Sequence, residues 1–106
     1  MNPTDVNILA PQGRLDAAAA RPFEDVWKQH VAEGRYQILV DLKDIHYISS
    51  NGLRTLLNAA RTSRKHGGAD KLCCLSPRLF EILEMAGFDR VFEIFPDREQ
   101  ALASFA

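Results

Sequence analysis

The chain has 106 residues, 46% of them hydrophobic, which is enough for one compact domain with its own core and too short for two. Its 13 Lys and Arg residues nearly balance its 14 Asp and Glu residues, and the formal net charge of −1 excludes a general electrostatic attraction to nucleic acid or anionic lipid. We therefore expect a single domain over residues 1–106 that does not bind nucleic acid.

The start of the sequence carries no targeting or membrane signal. Residues 1–5 have neither the positive charge nor the apolar run of a secretory signal peptide. No apolar run in the sequence reaches the roughly 20 residues that a membrane-spanning helix needs. These features predict a cytoplasmic protein that does not insert into a membrane.

Cys73 and Cys74 are the only cysteines, and they are adjacent within an apolar run. Successive side chains of a strand point to opposite faces, so a bridge between these two would be strained. We interpret them as reduced core residues of a protein in a reducing compartment. A metal or redox role needs more ligands than two neighbouring cysteines, so the sequence predicts neither a metal nor a cofactor.

Apolar segments and helical patterns alternate along the chain, which is typical of α/β folds. Residues 6–10 predict a short strand that forms a weak edge hairpin with residues 13–16. A helix is predicted to begin near Arg21, because Pro22 fits the first turn of a helix but not its interior, and to end at Gly34.

The rest of the chain continues this alternation. Residues 36–42 predict a buried central strand, and residues 44–52 predict a loop rich in turn and capping residues. The next helix runs from this loop to Gly67, and a strand over residues 71–75 follows it. The following helix is predicted to have Ser76 as its N-cap, Pro77 in its first turn and Gly87 at its end. A strand over residues 91–95 and a C-terminal helix with a capping box of Asp97 and Gln100 are the last predicted elements.

The loop before the second helix is where we expect the functional residues. In open α/β sheets, functional groups collect beyond the carboxyl ends of strands, and helix N-termini there favour negative charge. Ser49 and Ser50 place two hydroxyl groups at such an N-terminus, and Arg54 lies in the first turn, where it could pair with a phosphate. The arrangement suggests a phosphorylation site, but it is also typical of an ordinary helix cap, and the residues alone leave both interpretations open.

A longer pattern is more specific. Residues 39–57 contain an apolar strand that ends in Asp-Leu, a short linker, an aromatic residue, the sequence Ser-Ser-Asn-Gly-Leu and an apolar helix, and this pattern closely resembles the signature of STAS domains. Residues 13–16, 75–77 and 86–89 resemble further parts of the same family, so the resemblance covers nearly the whole chain. It implies an α/β STAS fold with a single mixed β-sheet of about four to five strands and about four to five helices.

The resemblance implies a binding function without catalysis. Members of this kind are partner-switching proteins, which bind an anti-sigma factor with serine kinase activity when unphosphorylated and so regulate sigma-factor-dependent transcription in bacteria. Phosphorylation would reverse the binding, and a PP2C-type serine phosphatase would reset it. The family's phosphoacceptor position corresponds to Ser50, with Ser49 as a rival hydroxyl where the family usually has Asp. The implied partner-binding residues are Ser49, Asn51, Gly52, Leu53, Arg54 and His46.

Two other functions remain open at this point. The chain could be a constitutive STAS subunit of a larger complex such as a lipid-transport ATPase, in which the serine loop would serve contact only. It could instead be an enzyme or nucleotide-binding domain, although it lacks a Gly-rich P-loop and a paired acid and base.

Asp41 and Asp44 could hold Mg²⁺ or simply form a turn. Because the N-terminus is short, an exposed sheet edge could also pair with a second copy to form a homodimer.

Overall fold

Strands and helices alternate along the chain, as the sequence predicts. The computed structural model describes residues 6–105. The strands are β1 (Asn7–Leu9), β2 (Gly13–Leu15), β3 (Gln37–Asp41), β4 (Ile45–Ile48), β5 (Ala69–Cys73) and β6 (Ile94–Phe95). The α-helices are α1 (Ala17–Ala32), α2 (Ser50–Lys65), α3 (Pro77–Met85) and α4 (Arg98–Ala103), and a short 3₁₀ helix covers Phe88–Arg90.

The strands form two sheets, and every strand pairing within residues 6–105 is parallel. The main sheet has the order β1-β3-β5-β6, and β2 and β4 form a small second sheet. Parallel neighbours need crossover connections, and α1, α2 and α3 each lie within one of the three crossovers of the main sheet. The predicted α/β class is confirmed, whereas two parallel sheets replace the single mixed sheet that we expected.

The second sheet exists because residues 45–48 form strand β4, where the sequence predicted a loop. Ile45, Tyr47 and Ile48 are residue types that favour strands, and both isoleucines are buried in the core. β4 pairs with β2, with Leu15 opposite Ile48. This pairing brings the start of α2 next to Leu15, which becomes important for the site.

The predicted hairpin of the first two strands is not formed. β1 pairs with β3, with Leu9 opposite Val40, whereas β2 pairs with β4. Leu9 and Leu15 are both buried in the main core, so each short strand gains apolar burial beside a different partner. Two strands of three residues would be marginally stable as an isolated hairpin. β1 is the outer strand at one edge of the main sheet, the edge at which the predicted homodimer would pair.

α1 begins several residues before the predicted start. Its N-cap is Asp16, whose Oδ1 accepts a hydrogen bond from the Ala19 N–H at 3.2 Å. Such a cap stabilises a helix by about 1 kcal/mol, and the alanines at positions 17–20 have the highest helix propensity. Together with the burial of Trp27, these contributions offset the loss of one backbone hydrogen bond at the exposed Pro22 inside the helix.

Two other helix starts follow the sequence prediction. Ser76 Oγ accepts a hydrogen bond from the Leu79 N–H at 3.2 Å, and Pro77 is the first residue of α3. Asp97 Oδ1 accepts a hydrogen bond from the Gln100 N–H at 2.8 Å at the start of α4. Both caps join residues three positions apart, which is why the sequence alone identified them.

Helices cover both faces of the main sheet. Residues of α1, α2 and α3 pack on one face in a core that includes Trp27, Leu56, Leu83, Ile38, Val40 and Leu72. On the other face, Leu39 and Cys73 pack against Ala101 of α4. Trp27 Nε1 donates a hydrogen bond to Thr55 Oγ1 at 3.3 Å and so joins α1 to α2. The sheet and α1 together fix the position of α2.

Candidate functional site

The site begins where β4 passes into α2, and Ser49 forms the junction. Ser49 is the N-cap of α2, with an extended backbone (φ −90°, ψ 174°). Its Oγ accepts a hydrogen bond from the Gly52 N–H at 3.2 Å, and its own N–H donates to the Leu15 carbonyl oxygen at 3.0 Å. Its carbonyl oxygen accepts the Leu53 N–H at 2.9 Å. Ser49 is half-buried, and its side-chain oxygen, N–H and carbonyl oxygen are all engaged in hydrogen bonds.

Ser50 has a different environment, although it is the next residue. It is the first residue of α2, and it is exposed. Backbone N–H groups of the first helical turn point outward there, and the helix macrodipole favours negative charge by about 0.3–1 kcal/mol. A phosphate on Ser50 would thus remain in water at the favourable end of α2.

Gly52 explains how closely the second sheet approaches α2. The residue is buried, and a Cβ atom added to it would lie 2.1 Å from the Leu15 carbonyl oxygen. Only glycine allows this approach of the two backbones. The sequence placed Gly52 among the partner contacts, but in the structure its backbone faces β2 rather than the surface.

Gly52→Ala is expected to lower the free energy of unfolding by about 1–3 kcal/mol, because the new methyl group would overlap the backbone of β2. Urea denaturation followed by circular dichroism measures this quantity. Asn51→Ala is the matched control, since Asn51 is exposed in the same helical turn, and it should change stability by less than about 0.5 kcal/mol. Equal stabilities of Gly52→Ala and the unchanged chain would contradict the close approach.

The other predicted contact residues surround Ser50 to different extents. Asn51 and Arg54 line a groove of about 320 Å³ between α1 and α2, which Arg21 of α1 also lines. Leu53 is only half-exposed, because it packs against the core. His46 is exposed on β4. Two exposed residues of the first turns of α2 therefore line this groove, while Leu53 contributes only part of its surface.

Sequence analysis did not single out Tyr47 and Arg14, which lie on the two strands of the second sheet. Tyr47 is 41% exposed on β4, and the Arg14 guanidinium lies over its ring, 4.3 Å from the centroid. Arg14 Nε also lies 3.4 Å from Asp16 Oδ2, beside the start of α1. An exposed aromatic residue beside an arginine is typical of protein interfaces. Only the parallel pairing of β2 with β4 brings these residues together, and no local pattern indicates that pairing.

Asp41 and Asp44, which the sequence left open as Mg²⁺ ligands, have different environments. Asp44 is exposed, whereas Asp41 is buried and accepts hydrogen bonds at Oδ2 from Arg98 Nη2 (2.7 Å) and Nε (3.1 Å). Its Oδ1 accepts the Lys43 N–H at 2.9 Å. Burial alone would raise the pKa of Asp41, but the Lys43 N–H and the Arg98 guanidinium outweigh burial and lower that pKa below its usual value. Asp41 is therefore an anion paired with α4.

Comparison with known proteins identifies the class. The STAS domain family matches residues 2–101. BtrV of Bordetella bronchiseptica, named as a candidate anti-sigma factor antagonist, is 36% identical over 98 residues, which cover 92% of this chain and 84% of that protein. The anti-sigma-B factor antagonist of Bacillus subtilis is 31% identical over 93 residues, 88% of this chain and 82% of that protein. The crystal structure of a candidate anti-sigma factor antagonist from Thermotoga maritima has a TM-score of 0.90 at 24% identity, covering 95% of this chain and 87% of that one.

The chain therefore belongs to the STAS domain family, and it is similar to anti-sigma factor antagonists of that family. The resemblance drawn from residues 39–57 is confirmed, as is the STAS fold. Within residues 6–105, no helix is both long enough and apolar enough to cross a membrane.

Proposed function

We propose that this chain is a phosphorylation-controlled partner switch. Without phosphate it binds an anti-sigma factor that has serine kinase activity, and phosphorylation of Ser50 releases that partner. A PP2C-type serine phosphatase restores the binding form. On this proposal the chain works in the cytoplasm, catalyses no reaction and regulates sigma-factor-dependent transcription by occupying the anti-sigma factor. Its similarity to the anti-sigma-B factor antagonist of Bacillus subtilis supports the choice of partner.

The exposure of Ser50 is the observation that carries the proposal. A kinase must bring the γ-phosphate of ATP to the acceptor oxygen, so the acceptor hydroxyl has to be reachable from solvent. Ser50 is exposed at the first position of α2, whereas Ser49 is half-buried and its Oγ accepts the Gly52 N–H. Transfer to Ser49 would also disturb the cap of α2. Both differences favour Ser50 as the phosphoacceptor.

In the free chain, the phosphate on Ser50 has favourable surroundings. It adds about −1.5 to −2 charges at the helix end that favours anions. Arg54 lies four residues further along α2, on the same face of the helix, and Arg21 of α1 lines the same groove. Phosphorylation is therefore expected to leave the fold intact and to change only the surface that a partner meets.

In the complex, the same phosphate is unfavourable. A partner that packs over the start of α2 would have to remove water from the charged group, and an unpaired buried charge is costly. Steric overlap adds to this cost. The switch therefore requires no large rearrangement of the chain, since the modified side chain itself blocks the interface.

Purification of the tagged chain from the cells that produce it, with the bound proteins identified by mass spectrometry, tests the proposal. We expect an ATP-binding anti-sigma factor with serine kinase activity. Ser50→Asp should recover less of this partner than the unchanged chain does, because it places a charge at the interface. Recovery instead of an ATP-binding transporter subunit, bound equally to the unchanged chain and to Ser50→Asp, would contradict the proposal and favour a constitutive subunit.

A further inference from the structure

The two adjacent cysteines at the end of β5 are closer together than a regular strand allows. Cys73 is the last residue of β5, and Cys74 has a φ of +66°. Among residues 6–105, Cys74 is the only residue other than glycine with a positive φ. This left-handed conformation is uncommon for a residue with a side chain, and here it accompanies an Sγ–Sγ distance of 3.3 Å. The expectation that the two side chains point to opposite faces was therefore wrong.

A third donor group lies beside the two sulfur atoms. Asp41 is the last residue of β3 and lies opposite Cys73 in the parallel pairing of β3 with β5. The two Sγ atoms and a carboxylate oxygen of Asp41 all lie within 4.8 Å of one another. Asp41 and Cys73 are buried, whereas Cys74 is half-exposed, so the group of three donors is accessible to solvent at Cys74. The sequence offered only two ligands, and the fold supplies the third.

We propose that Asp41, Cys73 and Cys74 form a binding site for a thiophilic divalent cation of the Zn²⁺ class. Zinc binds thiolates at about 2.3 Å and carboxylate oxygens at about 2.0–2.2 Å in tetrahedral geometry, so donors around one ion lie roughly 3.5–4 Å apart. The Sγ–Sγ distance of 3.3 Å and the limit of 4.8 Å on every donor pair lie on either side of this range. The fourth position of the ion is left for water. This site is separate from Ser50 and does not depend on the proposed switch.

Binding exchanges protons for a metal ion without any redox change. Burial, together with the neighbouring thiol and the Asp41 carboxylate, raises the pKa of Cys73, so the free thiols carry their protons. Two S–H bonds break, two sulfur–metal bonds form, and two protons pass to water. Thiolate ligands select Zn²⁺ and similar soft ions over Mg²⁺.

A bound ion would compete with Arg98 for the carboxylate of Asp41. The Arg98 guanidinium holds Asp41 Oδ2, but its side chain is 47% exposed and can turn into solvent. The Lys43 N–H on Oδ1 would then keep the carboxylate oriented, as hydrogen bonds to metal-ligating carboxylates generally do. The ion would thus replace one positive partner of Asp41 by another.

Titration of the full chain with Cd²⁺ under reducing conditions tests the site. Cd²⁺ is the probe because its bonds to thiolates give a charge-transfer absorption in the ultraviolet, and Cys73 and Cys74 are the only thiols in the chain. We expect this absorption to saturate at one ion per chain, to be reversed by Zn²⁺ and to be unaffected by Mg²⁺. Absence of a saturable absorption, or saturation at one ion per two chains, would overturn the proposal.

Variants separate this site from binding elsewhere. Cys73→Ser and Cys74→Ser should each weaken binding by at least about 100-fold, and Asp41→Asn by about 10-fold or more. Arg98→Ala is the matched control, because it keeps all three donors and removes the competing cation, so it should bind Cd²⁺ at least as tightly as the unchanged chain. If circular dichroism shows that a cysteine variant does not fold, Asp41→Asn and Arg98→Ala still test whether the ion binds at this site. Equal affinity of Asp41→Asn and the unchanged chain would overturn the three-donor site.

Discussion

Ser50→Ala is expected to abolish phosphate transfer to this chain by its partner kinase. The variant removes the exposed hydroxyl at the first position of α2 and leaves the Ser49 cap intact. Each purified variant is incubated with the kinase and ATP, and its intact mass then shows whether phosphate has been transferred. The added mass of one phosphate should appear on the unchanged chain and be absent from Ser50→Ala.

Two substitutions at Ser49 serve as controls for this result. Ser49→Asp keeps a side chain that caps helices well, so it should be phosphorylated like the unchanged chain. Ser49→Ala removes the cap and should lower the free energy of unfolding by about 1 kcal/mol while still accepting phosphate at Ser50. Phosphate retained on Ser50→Ala and lost from Ser49→Asp would show that Ser49 is the acceptor.

Phosphorylation is expected to weaken binding of the anti-sigma factor by about 100-fold or more. This factor corresponds to about 2.8 kcal/mol, which the cost of covering an unpaired phosphate can readily supply. Isothermal titration calorimetry of the partner against the unphosphorylated and the phosphorylated chain measures the difference. Treatment with a PP2C-type phosphatase should restore the original affinity.

The loss of affinity should depend on where the charge lies. Ser50→Asp adds about one negative charge at the proposed interface and should weaken binding, although less than the larger and more highly charged phosphate. Ala103→Asp adds the same charge at an exposed position of α4, on the opposite face of the main sheet, and should leave the affinity unchanged. Equal effects of the two substitutions would mean that net charge, rather than contact at the start of α2, controls binding.

Local patterns predicted those parts of the fold that depend on neighbouring residues. The buried strand β3 follows from a nearly continuous apolar run, and the starts of α3 and α4 follow from caps at Ser76 and Asp97. The position of α2 also followed, because its apolar residues recur at helical spacing after the serines. The two serines at this helix start were evident from the sequence, whereas the assignment of Ser50 as phosphoacceptor, with Ser49 as rival, came from the resemblance to the STAS family and stays a prediction.

Features that depend on distant residues could not be predicted. Burial of Trp27 against Thr55 of α2 helps α1 to accommodate Pro22, so the helix starts earlier than the proline rule suggests. Strand β4 pairs with β2, which lies about 30 residues earlier in the chain, so its hydrogen-bonding partner is not evident from the local sequence. The partial burial of Ser49 likewise depends on Leu15, which accepts the Ser49 N–H across 34 positions of the chain. Sequence spacing contains no information about such contacts.

The group formed by Asp41, Cys73 and Cys74 illustrates the same limit. Two adjacent cysteines suggested no site, because strand geometry would separate their side chains. The left-handed backbone of Cys74 brings the sulfur atoms together, and the pairing of β3 with β5 adds the carboxylate. Neither feature has a signal in the sequence itself.

Fragment-ion mass spectrometry of the chain isolated from the cells that produce it tests whether Ser50 is the phosphoacceptor. We expect phosphate on a fraction of the molecules. Its mass should be present in N-terminal fragments that include Ser50 and absent from those that end at Ser49, which assigns the phosphate to Ser50. Phosphate found on Ser49 instead, or a chain that carries none whether its sigma factor is active or inactive, would contradict a switch controlled by phosphorylation of Ser50.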